Sequence, residues 1–218
     1  MPGPTGAAAT RPHPVLACKY EGTTMNVLVD LFLLRHTPYR HACESARAPV
    51  WLTGFIVAVG CAFGTLVAVF QRLTDAELEG IPVADIPDWV LLVGNIVPGM
   101  VIAVAVHAGI AIVAWLMVKG VSGRGHLVAL YRATGYLLPL GLPALPLITS
   151  QTVLDATVDA GPVLPYMAAY APLAGLGLCL FVIGLFQAIR VVEGLSIWRA
   201  ACAVALFALF SFSILLFV

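Results

Sequence analysis

Five uncharged stretches, each about long enough to cross a bilayer, divide the chain, and the basic residues between them fall almost entirely on one side. A crossing helix needs about 20 apolar residues. Take Val50–Phe70 as the first crossing, with the N-terminus inside. The inside segments then hold Arg11, Lys19, Arg35, Arg40, Arg47, Lys119, Arg124, Arg132, Arg190 and Arg199, and the outside segments hold only Arg72. Loops on the cytoplasmic side carry the excess of Lys and Arg, so this bias sets the orientation. The expectation is an all-α integral membrane protein. It is a five-transmembrane-helix bundle with a cytoplasmic N-terminus, an outside C-terminus and a short cytosolic interfacial helix before the first span.

Composition points the same way. The chain is 61% hydrophobic and 10% charged, with a mean hydropathy of +1.01. Soluble domains carry roughly 25% charged residues, so lipid is the expected solvent for this much apolar surface. The formal net charge of zero hides an asymmetry, because Asp75, Glu77, Glu79, Asp85, Asp88, Asp155 and Asp159 all fall in outer loops. No basic groove with interleaved aromatics is present, which excludes nucleic acid as an expected partner. Cysteines stand at 18, 43, 61, 179 and 202 with no CxxC pair, so neither disulfides nor a metal site is expected.

Along the chain, residues 1–23 begin with a Pro-, Gly- and Ala-rich stretch and read as a disordered segment. Residues 24–49 form a juxtamembrane region. Its apolar part, TMNVLVDLFLLRH, is too short to span. It reads either as one or two helices lying on the cytoplasmic leaflet or as a short core-packing helix. Residues 50–218 form the membrane domain, with crossings near 50–70, 92–118, 130–150, 167–189 and 200–218. The first contains Gly60-x-x-x-Gly64, with Gly54 and Ala58 extending a small-residue face that lets another helix approach closely. In the second, Pro98 and Gly99 mark a kink or the true helix start. In the third, Pro139, Pro143 and Pro146 cannot all sit in a regular helix, so its outer end must be distorted.

Three places could carry chemistry. The inner loop Lys119-Gly-Val-Ser-Gly-Arg-Gly-His126 is glycine-rich and basic, but no GK[ST] closes it and no strand precedes it, so it is not a P-loop. It reads as a flexible basic turn, or as a place where Lys119, Arg124, His126 and Arg132 hold an anionic lipid headgroup. His107 is the ionisable residue deep in a span, and such a residue calls for a named partner. Asn95, Thr149, Ser150, Gln151 and Gln187 are the candidates. The alternative is a neutral imidazole bonded to a backbone carbonyl that a proline has freed. Arg190 and Glu193, three residues apart, suit a helical surface pair at the interface. No HExxH, GxSxG or Cys–His arrangement is present, so neither catalysis nor a cofactor is expected.

Two segments, GRGHLVALYRATGYLLPLGLP and LFQAIRVVEGLSIWRA, carry a family resemblance. The first holds Gly123, Gly125, Tyr131, Arg132, Tyr136 and Pro139, and the second holds Arg190-Val-Val-x-Gly-Leu-Ser196 before a final span. In order and spacing they resemble the Yip family, the Ypt/Rab-interacting five-span membrane proteins and their bacterial relatives. The segment LRHTPYRHACESARAPVW before the first span resembles the family's juxtamembrane region more loosely. The resemblance covers about residues 30–218. It implies a helical bundle with a cytosolic N-terminal region. Eukaryotic members act in vesicle trafficking and contact Rab-type GTPases. The brief, Ala/Arg/Pro-rich chain looks like a bacterial member, a branch mostly without assigned activity. Position 193 is Glu, where the resemblance leads one to expect His or another polar residue.

The expected function is therefore non-enzymatic: a multi-pass protein of the bacterial inner membrane that organises lipids or protein partners. Its expected partners are membrane lipids with anionic headgroups, a protein, or further copies of itself. The alternative is a small oligomeric transporter, channel or lipid translocator built on the broken second and third spans and His107.

Overall fold

The structure, a computed structural model, describes residues 24–74, 76–78, 80–155 and 164–217. The segment 1–23 expected to be disordered lies outside them, as do Asp75, Glu79 and Asp159.

Among the described residues eight α-helices make up most of the fold: α1 Thr24–Phe32, α2 Thr37–Glu44, α3 Ala48–Leu73, α4 Asp88–Gly120, α5 Leu127–Gly135, α6 Leu145–Asp155, α7 Leu164–Glu193 and α8 Ile197–Phe217. Four of them open with proline in the first turn: Pro38 in α2, Pro49 in α3, Pro146 in α6 and Pro165 in α7. Proline fits there because its missing N–H has no intrahelical acceptor at that position. Ala48–Leu73, Asp88–Gly120 and Ala168–Glu193 are long and apolar enough to cross a membrane. Leu127–Gly135 and Leu138–Val153, bent by 46°, make a fourth if the pair counts as one span. The fifth expected crossing falls on α8, whose stretch Ile197–Ser213 is a shorter apolar helix. This architecture is compatible with an integral membrane protein. So are the large apolar side chains exposed along α4 at Val93, Val97, Val101 and Val104. Such a continuous apolar surface is a liability in water and ordinary in lipid.

The central pair is α3 against α4, and the small-residue face explains its closeness. A Cβ on Gly60 would fall 2.6 Å from the Met100 Cα, and one on Gly99 would fall 2.6 Å from the Gly60 carbonyl oxygen. The two backbones touch, which only glycine allows. Gly54 and Ala58 are not part of this contact. Both are exposed, and nothing lies within 4 Å of a Cβ at Gly54. At 100° per residue they point away from the face that Gly60 and Gly64 share. Gln71 and Asn95 tie the same pair of helices through a hydrogen bond of 2.9 Å.

Two features differ from expectation. Pro98 neither starts nor interrupts a helix, because α4 runs unbroken through it from Asp88. Pro87 precedes that start, and the Asp88 carboxylate suits the positive end of the helix dipole. The third crossing does deform at its prolines, through a 3₁₀ segment at Leu138–Ala144. The deformation starts by residue 138, so only α5, nine residues long, stays regular on the basic side.

The two ends of the bundle differ in kind. At one end a short hairpin pairs Glu77–Leu78 with Ile81–Pro82. Arg72 closes this end by donating to the Val83 and Ile86 carbonyls and, at 2.7 Å, to Asp88. The basic residue on the sparsely basic side thus has a structural task. At the other end, α1 and α2 pack on the bundle. Val27, Leu31, Tyr39 and Ala42 enter the main core beside Leu130, Leu137, Leu185 and Ala203.

Candidate functional site

The basic residues of four separate segments meet at this second end. The glycine turn after α4 is tied by hydrogen bonds on several sides. The Trp115 indole donates to the Gly125 carbonyl at 2.8 Å, and Lys119 Nζ donates to the Arg124 carbonyl at 3.0 Å. The backbone N–H groups of Gly125 and His126 donate to the two carboxylate oxygens of Glu193, at 2.7 and 2.8 Å. The Glu193 side chain has no accessible surface, and His126 Nδ1 lies 3.8 Å from its Oε1.

This geometry revises two expectations. Glu193 does not pair with Arg190, and its carboxylate instead reaches across to the turn. The two N–H groups that would cradle an external phosphate at the turn are already taken by an internal anion. Arg124 and His126 remain exposed, and Lys119 is exposed but committed to the turn's own backbone. Arg132 sits apart, half-buried on α5 toward α2. There its charge partly offsets the rise that burial, Glu44 and Glu193 impose on the Cys43 thiol. The four residues share one end of the molecule but do not converge on one point.

Gly194 makes the sharp return from α7 possible. Its φ of 62° is a left-handed conformation that L side chains rarely adopt, and it ends a helix in the way glycine favours. The return leaves Arg190 exposed at the edge of a cavity of about 290 Å³ between α2 and the end of α7. His36, Arg40, Gln187, Val191 and Gly194 complete its wall. Sequence reasoning counted Arg40 only as an orientation signal, paired Arg190 with Glu193, and passed over His36. Their separation of 150 residues hid the meeting, and no local pattern announces it.

On α2, Tyr39 is fully buried with no partner for its hydroxyl among the described residues, and burial pushes its pKa up. His41 Nδ1 lies 3.2 Å from the Tyr136 hydroxyl, and burial lowers the pKa of the ring. An unprotonated Nδ1 accepts a hydrogen bond from the phenol hydroxyl there, whereas a protonated one donates to the phenol oxygen.

His107 is fully buried, and its Nε2 lies 2.9 Å from the Tyr131 carbonyl and 3.3 Å from the Thr134 hydroxyl. None of the five expected partners touches it. Asn95 bonds Gln71, Thr149 and Ser150 bond backbone carbonyls of their own helix, and Gln187 lines the basic cavity. The partner is a backbone carbonyl, but Pro139 and Pro143 would free the carbonyls of residues 135 and 139, not that of Tyr131. The Tyr131 ring also stacks at 4.3 Å from the imidazole. Nδ1 has no partner among the described residues.

Among the described residues no three His, Cys, Asp or Glu side chains gather to hold a metal. No protein-family model matches the chain, and no curated protein or solved structure matches it either.

Proposed function

We propose that this chain is a five-span, non-enzymatic membrane protein of the Yip type. In this reading it organises acidic lipids or a protein partner at the cytoplasmic face of a bacterial inner membrane. One observation carries the reading: basic residues from α2, the glycine turn, α5 and the end of α7 gather at a single end of an apolar helical bundle. A polybasic surface beside the membrane attracts anionic lipid by about 1 kcal/mol per Lys or Arg. α8, at 21 residues, supplies the fifth crossing with a length of about 31 Å at 1.5 Å per residue. The outward apolar side chains of α1, Leu28, Val29 and Phe32, suit a helix lying in the leaflet.

The test is the lipid content of the protein purified from its own membrane in mild detergent. Acidic phospholipid enriched over the bulk membrane, and reduced in an Arg124→Gln/Arg132→Gln variant, is the expected result. Co-purified lipid that mirrors the bulk membrane would sink the reading.

The transporter reading has one observation in its favour, the buried and unpartnered Nδ1 of His107 beside the broken third span. It requires that His107→Ala abolish a flux measured in reconstituted vesicles. A flux that the variant retains removes His107 from the pathway.

A further inference from the structure

We infer that the cavity between α2 and the end of α7 binds a phosphate ester, carried by an acidic phospholipid headgroup or by a soluble molecule. The cavity is lined by Arg40 of α2 and Arg190 of α7, two helices in contact, and by His36 just before α2. Neither guanidinium has a hydrogen-bond or carboxylate partner among the described residues, although Arg35, close by in sequence, pairs with Asp30 at 2.9 Å. Two unneutralised cations across one concavity repel each other, and an anion between them removes that repulsion. The nearest carboxylate in sequence to the α7 wall, Glu193, cannot serve, because both its oxygens are bonded to the turn.

The chemistry favours phosphate over a bare carboxylate. Guanidinium forks bind phosphate oxygens in bidentate fashion, and two forks suit a group with several oxygens. Gln187 adds an amide to the wall, and its Oε1 has no partner among the described residues. This amide is placed to serve a hydroxyl of the ester's substituent. A volume of about 290 Å³ is close to the lower limit of small-molecule sites, so it suits a headgroup and not a large ligand. The glycine turn is the poorer candidate, since its N–H donors are filled from within.

Anion binding stands on the cavity alone, and only the lipid source rests on the membrane reading above. The experiment titrates the full-length protein in neutral detergent with inorganic phosphate and, separately, with short-chain phosphatidylglycerol, following the melting temperature. Saturable stabilisation is expected. It should weaken by about tenfold or more when the Arg40→Gln/Arg190→Gln double substitution removes both charge-assisted contacts. Arg199→Gln, which removes an exposed charge on α8, should bind as the unmodified protein does.

Saturation by phosphatidylglycerol but not by phosphate identifies the lipid headgroup. Competition between the two at equal affinity identifies a soluble phosphate ester. No saturation by either, an unaffected double variant, or an equal loss in Arg199→Gln overturns the site. Should the double variant not fold, Arg190→Lys keeps the charge without the fork. It must then bind more weakly than the unmodified protein, and equal binding overturns the site. Release of the protein from membranes by alkaline carbonate would sink the membrane reading and leave the phosphate arm standing.

Discussion

At the scale of single residues, Glu193 governs the basic end. Its carboxylate satisfies two backbone N–H groups 68 and 67 positions earlier in the chain and joins the end of α7 to the turn after α4. Glu193→Ala would leave both donors unsatisfied in a closed site, at a cost of about 2–4 kcal/mol. Glu193→Gln retains one acceptor and should cost about half as much. The lowered midpoint of thermal unfolding in detergent checks both. His41 gives the chain a pH response of known sign. Its folded pKa lies below the free value of about 6.5, so the unfolded chain takes up the proton more readily as pH falls. The contribution of His41 is therefore present above about pH 6.5 and lost as pH falls through the lowered folded value. Melting temperature against pH should fall less steeply on the acid side in His41→Gln.

At the scale of elements, contact between α3 and α4 depends on backbone approach and not on large side chains. Gly99→Ala puts a Cβ 2.6 Å from the Gly60 carbonyl oxygen, so the helices must separate. The expected loss is about 1–3 kcal/mol. Gly54→Ala meets open space and should be neutral or slightly stabilising, since alanine favours helix by up to about 1 kcal/mol over glycine. Unfolding of the two variants in a denaturing-detergent titration separates the packed face from the lipid-facing one. The spacing of Gly60 and Gly64 is legible in the sequence, but their partner is not. A small-residue face says that some helix comes close, and Gly99 is identified only once α4 lies against it. The proline-rich third stretch behaves as the chemistry of proline requires. At Pro98 the helix continues, because a single exposed proline in a long apolar helix loses only one backbone bond.

At the scale of the whole molecule, the two ends carry opposite chemistry, and topology is the quantity to measure. Ser122 on the glycine turn and Ala84 in the acidic loop are both exposed and stand at opposite ends. A cysteine placed at each, in a background without native cysteines, should label from opposite sides of the membrane. The position 122 cysteine should react only after the cytoplasmic face is opened to an impermeant reagent. Labelling of both from one side would overturn the orientation read from the arginines and lysines.

The sequence by itself determined the helical class, the apolar stretches and the lopsided distribution of positive charge. These are local quantities: a run of apolar residues must satisfy its own backbone bonds, and a loop carries its charge wherever it folds. The sequence did not determine what meets what. Tertiary structure turned Glu193 from Arg190 to the glycine turn and gave His107 the Tyr131 carbonyl in place of any side chain named for it. It also brought Arg40 and Arg190 to the wall of one cavity. Each of these joins segments far apart in the chain, and packing alone decides which surfaces come together.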